Sequence, residues 1–518
     1  MLIKFVVNSI LFFACYNSIF AQYSEPDHLL RAKRDSFQRI DSGQESVIVG
    51  LISLAQTIAH KSHGVENAEV RALLAKEAYD LNKAAEGNFY DSYIGEALYT
   101  AVAGLKPNFN LITNPTEAKN ISPLEVLKNL KTLAKSPTNS LLSTSDNKYL
   151  YSCNGRNILC WENKYPPQAP QIAYQSSKES ISNLLIIKDK TLARATVNGE
   201  IEIFSLRANQ LSLDTIIKPH NGTAITNMVV RGKFIISIGT DGKLFSTSIH
   251  NYTSSFLAEL RFKNGLLDVG ITPDGKYLLC VFAHTNQLHL INLEDNATEV
   301  ESLKDAFSTS AIDGDSIKIT ALAHSLNGTY LAVGYSNGAI RIWNLRDYNI
   351  FENKPELLLF HQQKINDLVF SNNSQQLAAA SGDSSISLWQ IDTSVSAKVF
   401  RGYGDSFESN PYRDYRYAPI RFKNLPSASS SLAFSHDNKR LFAGNQNGEV
   451  QIFETDMAAY TTQICNLVDK SLGEKVWGKY LGISLEEILK MYDIFPRVLN
   501  QEKRDPFSTC GGGKPSID

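Results

Sequence analysis

The chain has 518 residues, 43% of them hydrophobic, and a formal net charge of −2. That length accommodates one large domain with flanking pieces. The near-neutral balance argues against a general nucleic-acid binder, which needs a basic face, and the 25 Phe and 22 Tyr suit strands better than long helices.

Residues 1–21 read as a targeting segment rather than as fold. Lys4 is the one charged side chain, Phe5 to Phe13 is mostly apolar, and Phe20-Ala21 precedes Gln22 as a cleavage point. This is the order of a secretory signal peptide. An uncleaved membrane anchor is the alternative, although Asn8 and Ser9 interrupt a run that is short for a span. Lipidation at Cys15 is disfavoured by the bulky Phe12 and Phe13 before it. The mature protein is therefore expected to be periplasmic or otherwise extracytoplasmic. Membrane association is expected only if the segment is retained or lipidated.

Residues 22–46 are polar and mixed in charge. Residues 47–60 and 66–104 read as helical. Val70, Leu73, Leu74, Ala78 and Leu81 recur at three- and four-residue spacing, as do Ile94, Ala97, Leu98 and Ala101. Two or three antiparallel helices follow, ended by Pro107. The expected organisation is a helical N-terminal segment at 22–107, a connector at 108–135 containing Pro115 and Pro123, a repeat region at 136–456, and a helical tail with a flexible end at 457–518.

The repeat is clearest over Ile319–Leu345. Ile319 to Ala323, Tyr330 to Gly334 and Ile340 to Leu345 are three short apolar runs, separated by turns at Leu326-Asn327-Gly328 and Ser336-Asn337-Gly338. Asn-Gly between such runs is a strong hairpin signal, because both turn positions need positive φ. Such a unit cannot bury both of its faces alone and calls for copies of itself. Six other stretches align with it: Leu141–Trp161, Ile181–Leu206, Ile225–Ile249, Leu266–Leu293, Ile365–Ile391 and Ser431–Glu454. In chain order, Trp161, Phe204, Thr247, Ile291, Trp343, Trp389 and Phe453 fill one position, most of them about 45 residues apart. Three visible strands per repeat, with a fourth in each connector, predict seven four-stranded blades.

At these residues the chain resembles the WD-repeat β-propeller family. In blade six, His361, Ser381, Asp383 and Trp389 stand where that family places a hydrogen-bonded His, Ser/Thr, Asp and Trp. Blade three keeps His220 and Asp241 but has Gly239 and Thr247 at the other two places. Asn198, Asn337 and Asn447 take the Asp position in blades two, five and seven. The resemblance implies an all-β fold: a seven-bladed β-propeller with an α-helical N-terminal segment and a short helical C-terminal tail. Ring closure then needs an outer strand from the other end of the chain, expected in 108–140 or in Tyr460–Val468. The flanks, residues 73–102 and Cys465 through Cys510, are similar to those of exported bacterial members, which implies a bacterial envelope protein.

Cysteines fall at 15, 153, 160, 280, 465 and 510. Loss of Cys15 leaves too few for a disulfide scaffold. Cys465 and Cys510 flank the tail and are the candidate disulfide in an oxidising compartment. Cys153 and Cys160 are expected to lie diagonally on one face, as small buried residues. No metal site is expected. His60 and His63 lack a His-Glu-x-x-His pattern, and Asp313-Gly314-Asp315 supplies too few oxygens for calcium. His220 and His361 are expected to bond a turn Asp within their blades.

Residues 401–421 differ in composition from the blades. Tyr403, Tyr412, Arg413, Tyr415, Arg416 and Tyr417 lie in the long connector between blades six and seven, and Tyr and Arg are common interface anchors. The plain reading is a loop packed on the propeller's own rim. Stacking on nucleic acid is disfavoured by Asp405, Glu408 and Asp414. The function expected is a non-catalytic scaffold that binds other proteins outside the cytoplasm, with no cofactor and no catalytic residues. The alternative is a propeller enzyme or a glycan-binding module using the central channel or the 401–421 loop.

Overall fold

The structure is a computed structural model. It describes residues 43–85, 87, 90–106, 111–112, 140–154, 157–163, 171–175, 180–188, 191–207, 210–260, 266–272, 274–282, 288–294, 298–303, 317–344, 356–359, 361–391, 419–445, 449–468, 470–472, 474–481, 510 and 516–517. The chain forms two compact units, one helical and one the propeller.

In the helical unit, α1 (Gly43–Ser62), α2 (Ala68–Ala84) and α3 (Ser92–Leu105) form the N-terminal part, and α4 (Met457–Leu467) comes from the tail. Asn67 and Asp91 cut the helical stretch into α2 and α3. The Asn67 side-chain oxygen accepts from the N–H groups of Glu69 and Val70, and Asp91 accepts from those of Tyr93 and Ile94. Each cap satisfies donors that have no partner within the helix. All nine residues whose spacing predicts α2 and α3 are buried, and burying each large aliphatic side chain is worth about 1.5–3 kcal/mol. Cys465 of α4 is disulfide-bonded to Cys510, and beyond it Ser471–Leu472 pairs in parallel with Ser516–Ile517.

The second unit is a ring of seven four-stranded antiparallel sheets. Its innermost strands are, in chain order, Ser140–Ser143, Ser180–Lys188, Ile225–Arg231, Leu266–Ile271, Ile319–His324, Ile365–Phe370 and Ser429–Phe434. Six blades take their outer strand from the following connector. Blade seven takes Leu111–Ile112, which pairs with Gln451 and Val450 of its third strand, Val450–Glu454. The closing strand thus falls in the first of the two expected stretches, while Tyr460 to Leu467 is helical. Across the closed seam, Leu141, Leu150, Leu159 and Trp161 of blade one pack on Ala433, Phe442, Val450 and Ile452 of blade seven. Equivalent apolar clusters fill the spaces between other neighbouring blades.

Five blades share one turn between their first two strands. Thr144, Thr272, Ser325, Ser371 and Ser435 each donate a hydroxyl to an Asp or Asn two residues on, at 2.5 to 2.8 Å, and accept the N–H five residues on. The fourth residue of the turn has positive φ in every case: Asn147, Gly275, Gly328, Ser374 and Asn438. A type I turn closed by one left-handed residue matches the twist of a hairpin. Ser374, Asn147 and Asn438 carry a side chain where glycine is easiest. Each uses it to accept an N–H from the preceding blade: Asn327 to Ser374, Asn372 to Asn438, and Asp437 to Asn147. These bonds link blades five, six, seven and one in sequence.

Candidate functional site

The densest polar constellation lies in blade six. His361 Nδ1 is 3.2 Å from Asp383 Oδ2 and 3.1 Å from Ser385 Oγ, and its Nε2 is 2.6 Å from Ser387 Oγ. Asp383 also accepts from the N–H of Gln362 and of Ser385. Burial pushes the Asp383 carboxyl up, but the bonds from His361, Ser385 and Gln362 outweigh it and hold the group well below the usual carboxylate range. The order carboxylate, imidazole, hydroxyl is that of a hydrolytic triad. Ser387, however, is 0% exposed and the His361 side chain 1%, so no substrate carbonyl reaches the hydroxyl. The set ties the connector before blade six to its second and third strands. Trp389 meets the His361 ring edge-on at 6.3 Å.

The register of this set differs from the expected one. Ser381 does not touch His361. Its hydroxyl accepts from Asp383 N–H and donates to the carbonyls of Gln363 and Lys364. The strand position that would aim a hydroxyl at the imidazole is Ala379, and Ser387 lies directly across the ladder from it. Blade six therefore supplies from its third strand the hydroxyl that its second strand lacks. In blade three the hydroxyl sits on the second strand: Ser237 Oγ is 2.9 Å from His220 Nε2, two residues before Gly239. His220 Nδ1 has no hydrogen-bond partner among the described residues, so the expected bond to Asp241 is not made. Asp241 instead accepts from Lys243 N–H. Burial pushes the His220 imidazole down to about 4. Thr247, at the Trp position, shares a 2.8 Å hydroxyl contact with Ser254.

Other blades fill the same layer with different chemistry. Arg194 and Glu202 of blade two face each other across the ladder, 3.4 Å apart and 0% and 3% exposed. Blade four places Cys280 opposite His289, and both are buried. Cys153, Cys160 and Cys280 are free and buried. Burial pushes the Cys160 thiol up to about 11, out of the reactive range. Among the described residues, no three His, Cys, Asp or Glu side chains gather to hold a metal ion.

The surface built around these layers is the end of the ring where the second-to-third-strand turns meet the connectors that enter their own blade or the next one. His220 N–H donates to Gly199 O there, Ser336 N–H to Lys318 O, and Gly382 N–H to Lys364 O. The glycines of two such turns are obligatory. A Cβ on Gly199 (φ 72°) would lie 2.5 Å from Thr223 O, and one on Gly338 (φ 84°) 2.1 Å from His361 O. At this end Lys218, Lys318, Lys364 and Lys423 are exposed. The carboxylates beside them are turned inward: Glu200 is 4% exposed and 3.2 Å from Lys218, and Asp383 is held by its blade. Tyr403, Tyr412, Arg413, Tyr415, Arg416 and Tyr417 lie outside the described residues, as do residues 1–21 and Asp313 to Asp315.

Residues 308–344 and 355–390, blades five and six, match the family model described as WD domain, G-beta repeat. The chain is 31% identical over 77 residues to a guanine nucleotide-binding protein subunit beta of Solanum tuberosum, covering 15% of this chain and 20% of that one. It is 24% identical over 150 residues to a subunit of the same name from Oryza sativa subsp. japonica, covering 29% and 35%. It is 22% identical over 226 residues to apoptotic protease-activating factor 1 of Homo sapiens, covering 42% and 17%. The chain spans 35% or less of the length of these relatives. With seven blades in the structure, these matches support a WD-repeat β-propeller.

Proposed function

We propose that this protein is a non-catalytic scaffold that binds other proteins through the turn-and-connector end of its propeller, outside the cytoplasm. One observation carries the reading. At that end Glu200 and Asp383 are consumed inside the fold, while Lys218, Lys318, Lys364 and Lys423 project from it. The polar chemistry that resembles a catalytic set is buried and spent on holding connectors, which leaves surface recognition as the work of this end. An acidic segment of a partner complements it. The extracytoplasmic location is supported by the order of residues 1–21 and by the Cys465–Cys510 disulfide.

Co-purification of the tagged full chain from envelope fractions tests the reading. Three variants are compared with the parent: Lys318→Glu with Lys364→Glu, a deletion of 401–421, and both together. Loss of partners in the lysine variant supports the turn-and-connector end, and loss only on deletion moves the surface to the 401–421 loop. Full recovery in the combined variant sinks both. Fractionation and N-terminal sequencing test the location, and an intact Met1 on a cytoplasmic protein refutes it.

A further inference from the structure

We propose that Asn221-Gly222, in the connector entering blade three, is a site of spontaneous deamidation. The sequence has seven Asn-Gly steps, and in four of them both residues are described: Asn198-Gly199, Asn221-Gly222, Asn327-Gly328 and Asn337-Gly338. The reaction needs two free groups. The glycine nitrogen, on losing its proton, attacks the asparagine Cγ. A C–N bond forms, the bond from Cγ to Nδ2 breaks, and ammonia leaves. Water then opens the succinimide at either carbonyl to give aspartate or isoaspartate.

Three of the four steps have the nucleophile tied up. Gly199 N–H donates to Thr196 O, Gly328 N–H to Ser325 O, and Gly338 N–H to Tyr335 O. Two also have the carboxamide held. Asn327 Oδ1 accepts from Ser325 Oγ and Thr329 N–H, and Asn337 Oδ1 accepts from Ala339 N–H. Gly199 and Gly338 are further wedged beneath the next connector, so the main chain there cannot flatten into a ring.

Asn221-Gly222 differs in each respect. Both residues are exposed, and neither the Gly222 N–H nor the Asn221 carboxamide has a hydrogen-bond partner among the described residues. The turn is closed outside the reacting pair, by Thr223 N–H to His220 O at 2.9 Å. A Cβ placed on Gly222 meets nothing within 4 Å, so a ring has room to form. The product puts a carboxylate three residues from Lys218. As isoaspartate it also adds a methylene to the main chain beside His220. Charge and geometry of this connector then change with the age of the molecule. The modification rests on the turn alone, whatever binds this end of the ring.

The test is peptide mapping by mass spectrometry of the full chain, aged native at mildly alkaline pH and, in parallel, in denaturant. Among the four described steps, the mass gain of amide to acid, and methylation by an isoaspartate-specific methyltransferase, should localise to Asn221 in the native sample; in the denatured one they should spread over all seven steps of the sequence. Asn221→Gln keeps an amide but disfavours the five-membered ring, and should lose the native signal without altering the fold. An intact Asn221 in native protein overturns the proposal. So does conversion no faster than at Asn327 and Asn337.

Discussion

Asp437 of blade seven donates its backbone N–H to the carboxamide oxygen of Asn147 in blade one, 3.1 Å away across the seam of the ring. Asn147 holds φ 55°, a conformation that costs an ordinary side chain roughly 1–2 kcal/mol. The bond explains why glycine does not stand there. Asn147→Gly should relieve the backbone but lose the bond, for a net cost of about 1 kcal/mol or less. Asn147→Ala loses the bond and keeps the strain, and should cost about 1–2 kcal/mol more than the glycine variant. Urea unfolding of both variants measures the order, and an alanine variant as stable as the glycine variant refutes it.

Among the described turns, Gly338 makes the tightest crossing with its neighbour. Gly338→Ala adds a Cβ that would lie 2.1 Å from the backbone oxygen of His361, at φ 84°. Backbone cannot rotate away as a side chain can, so the cost should exceed about 2 kcal/mol. Hydrogen exchange should show the loss in blade six first. Unchanged protection at Ser385 and Ser387 would count against this coupling.

His220 makes stability depend on pH. Its folded value is depressed to about 4 from 6.5, with burial the largest cause and Lys243 adding to it, while Asp241 and Ser237 oppose it. The neutral ring is therefore favoured in the fold. The contribution is fully present above the unfolded value and is lost as pH falls from about 6.5 towards about 4, by up to about 3 kcal/mol. His220→Gln should flatten that part of the stability profile. An NMR titration of the ring with a midpoint near the ordinary value would show the idea to be wrong.

Arg194 and Glu202 form a charged pair inside blade two. Removing one partner by Glu202→Gln takes away the carboxylate 3.4 Å from the buried Arg194 guanidinium and should cost about 3–5 kcal/mol. Replacing both, as Arg194→Met with Glu202→Leu, should recover most of the loss, since both side chains are almost fully buried. Thermal unfolding of the three proteins decides it. A double variant no better than the single one would mean that the pair contributes more than it costs to bury.

The blades were legible because strand alternation and Asn-Gly turns are local signals. The linking bonds were not, because they depend on register between strands. Counting along one strand pointed to Ser381 and Gly239, whereas the imidazoles bond Ser387 and Ser237. Only the pairing of Ala379 with Ser387 shows that a hydroxyl has changed strands. Ser374 gave no warning of its left-handed backbone, since serine is not a usual residue there. Leu111–Ile112 is too short to carry a period of its own. The surface is less legible still: a lysine reads the same in sequence whether its neighbouring carboxylate faces water or the core.

The two-residue closing strand has a consequence for the order of events during synthesis. Leu111 and Ile112 are made before blade one, yet their partners Gln451 and Val450 are made after blade six. The first strand of the ring must wait, unpaired, until the seventh blade arrives. Closure is then the most non-local contact in the propeller and should be its slow step.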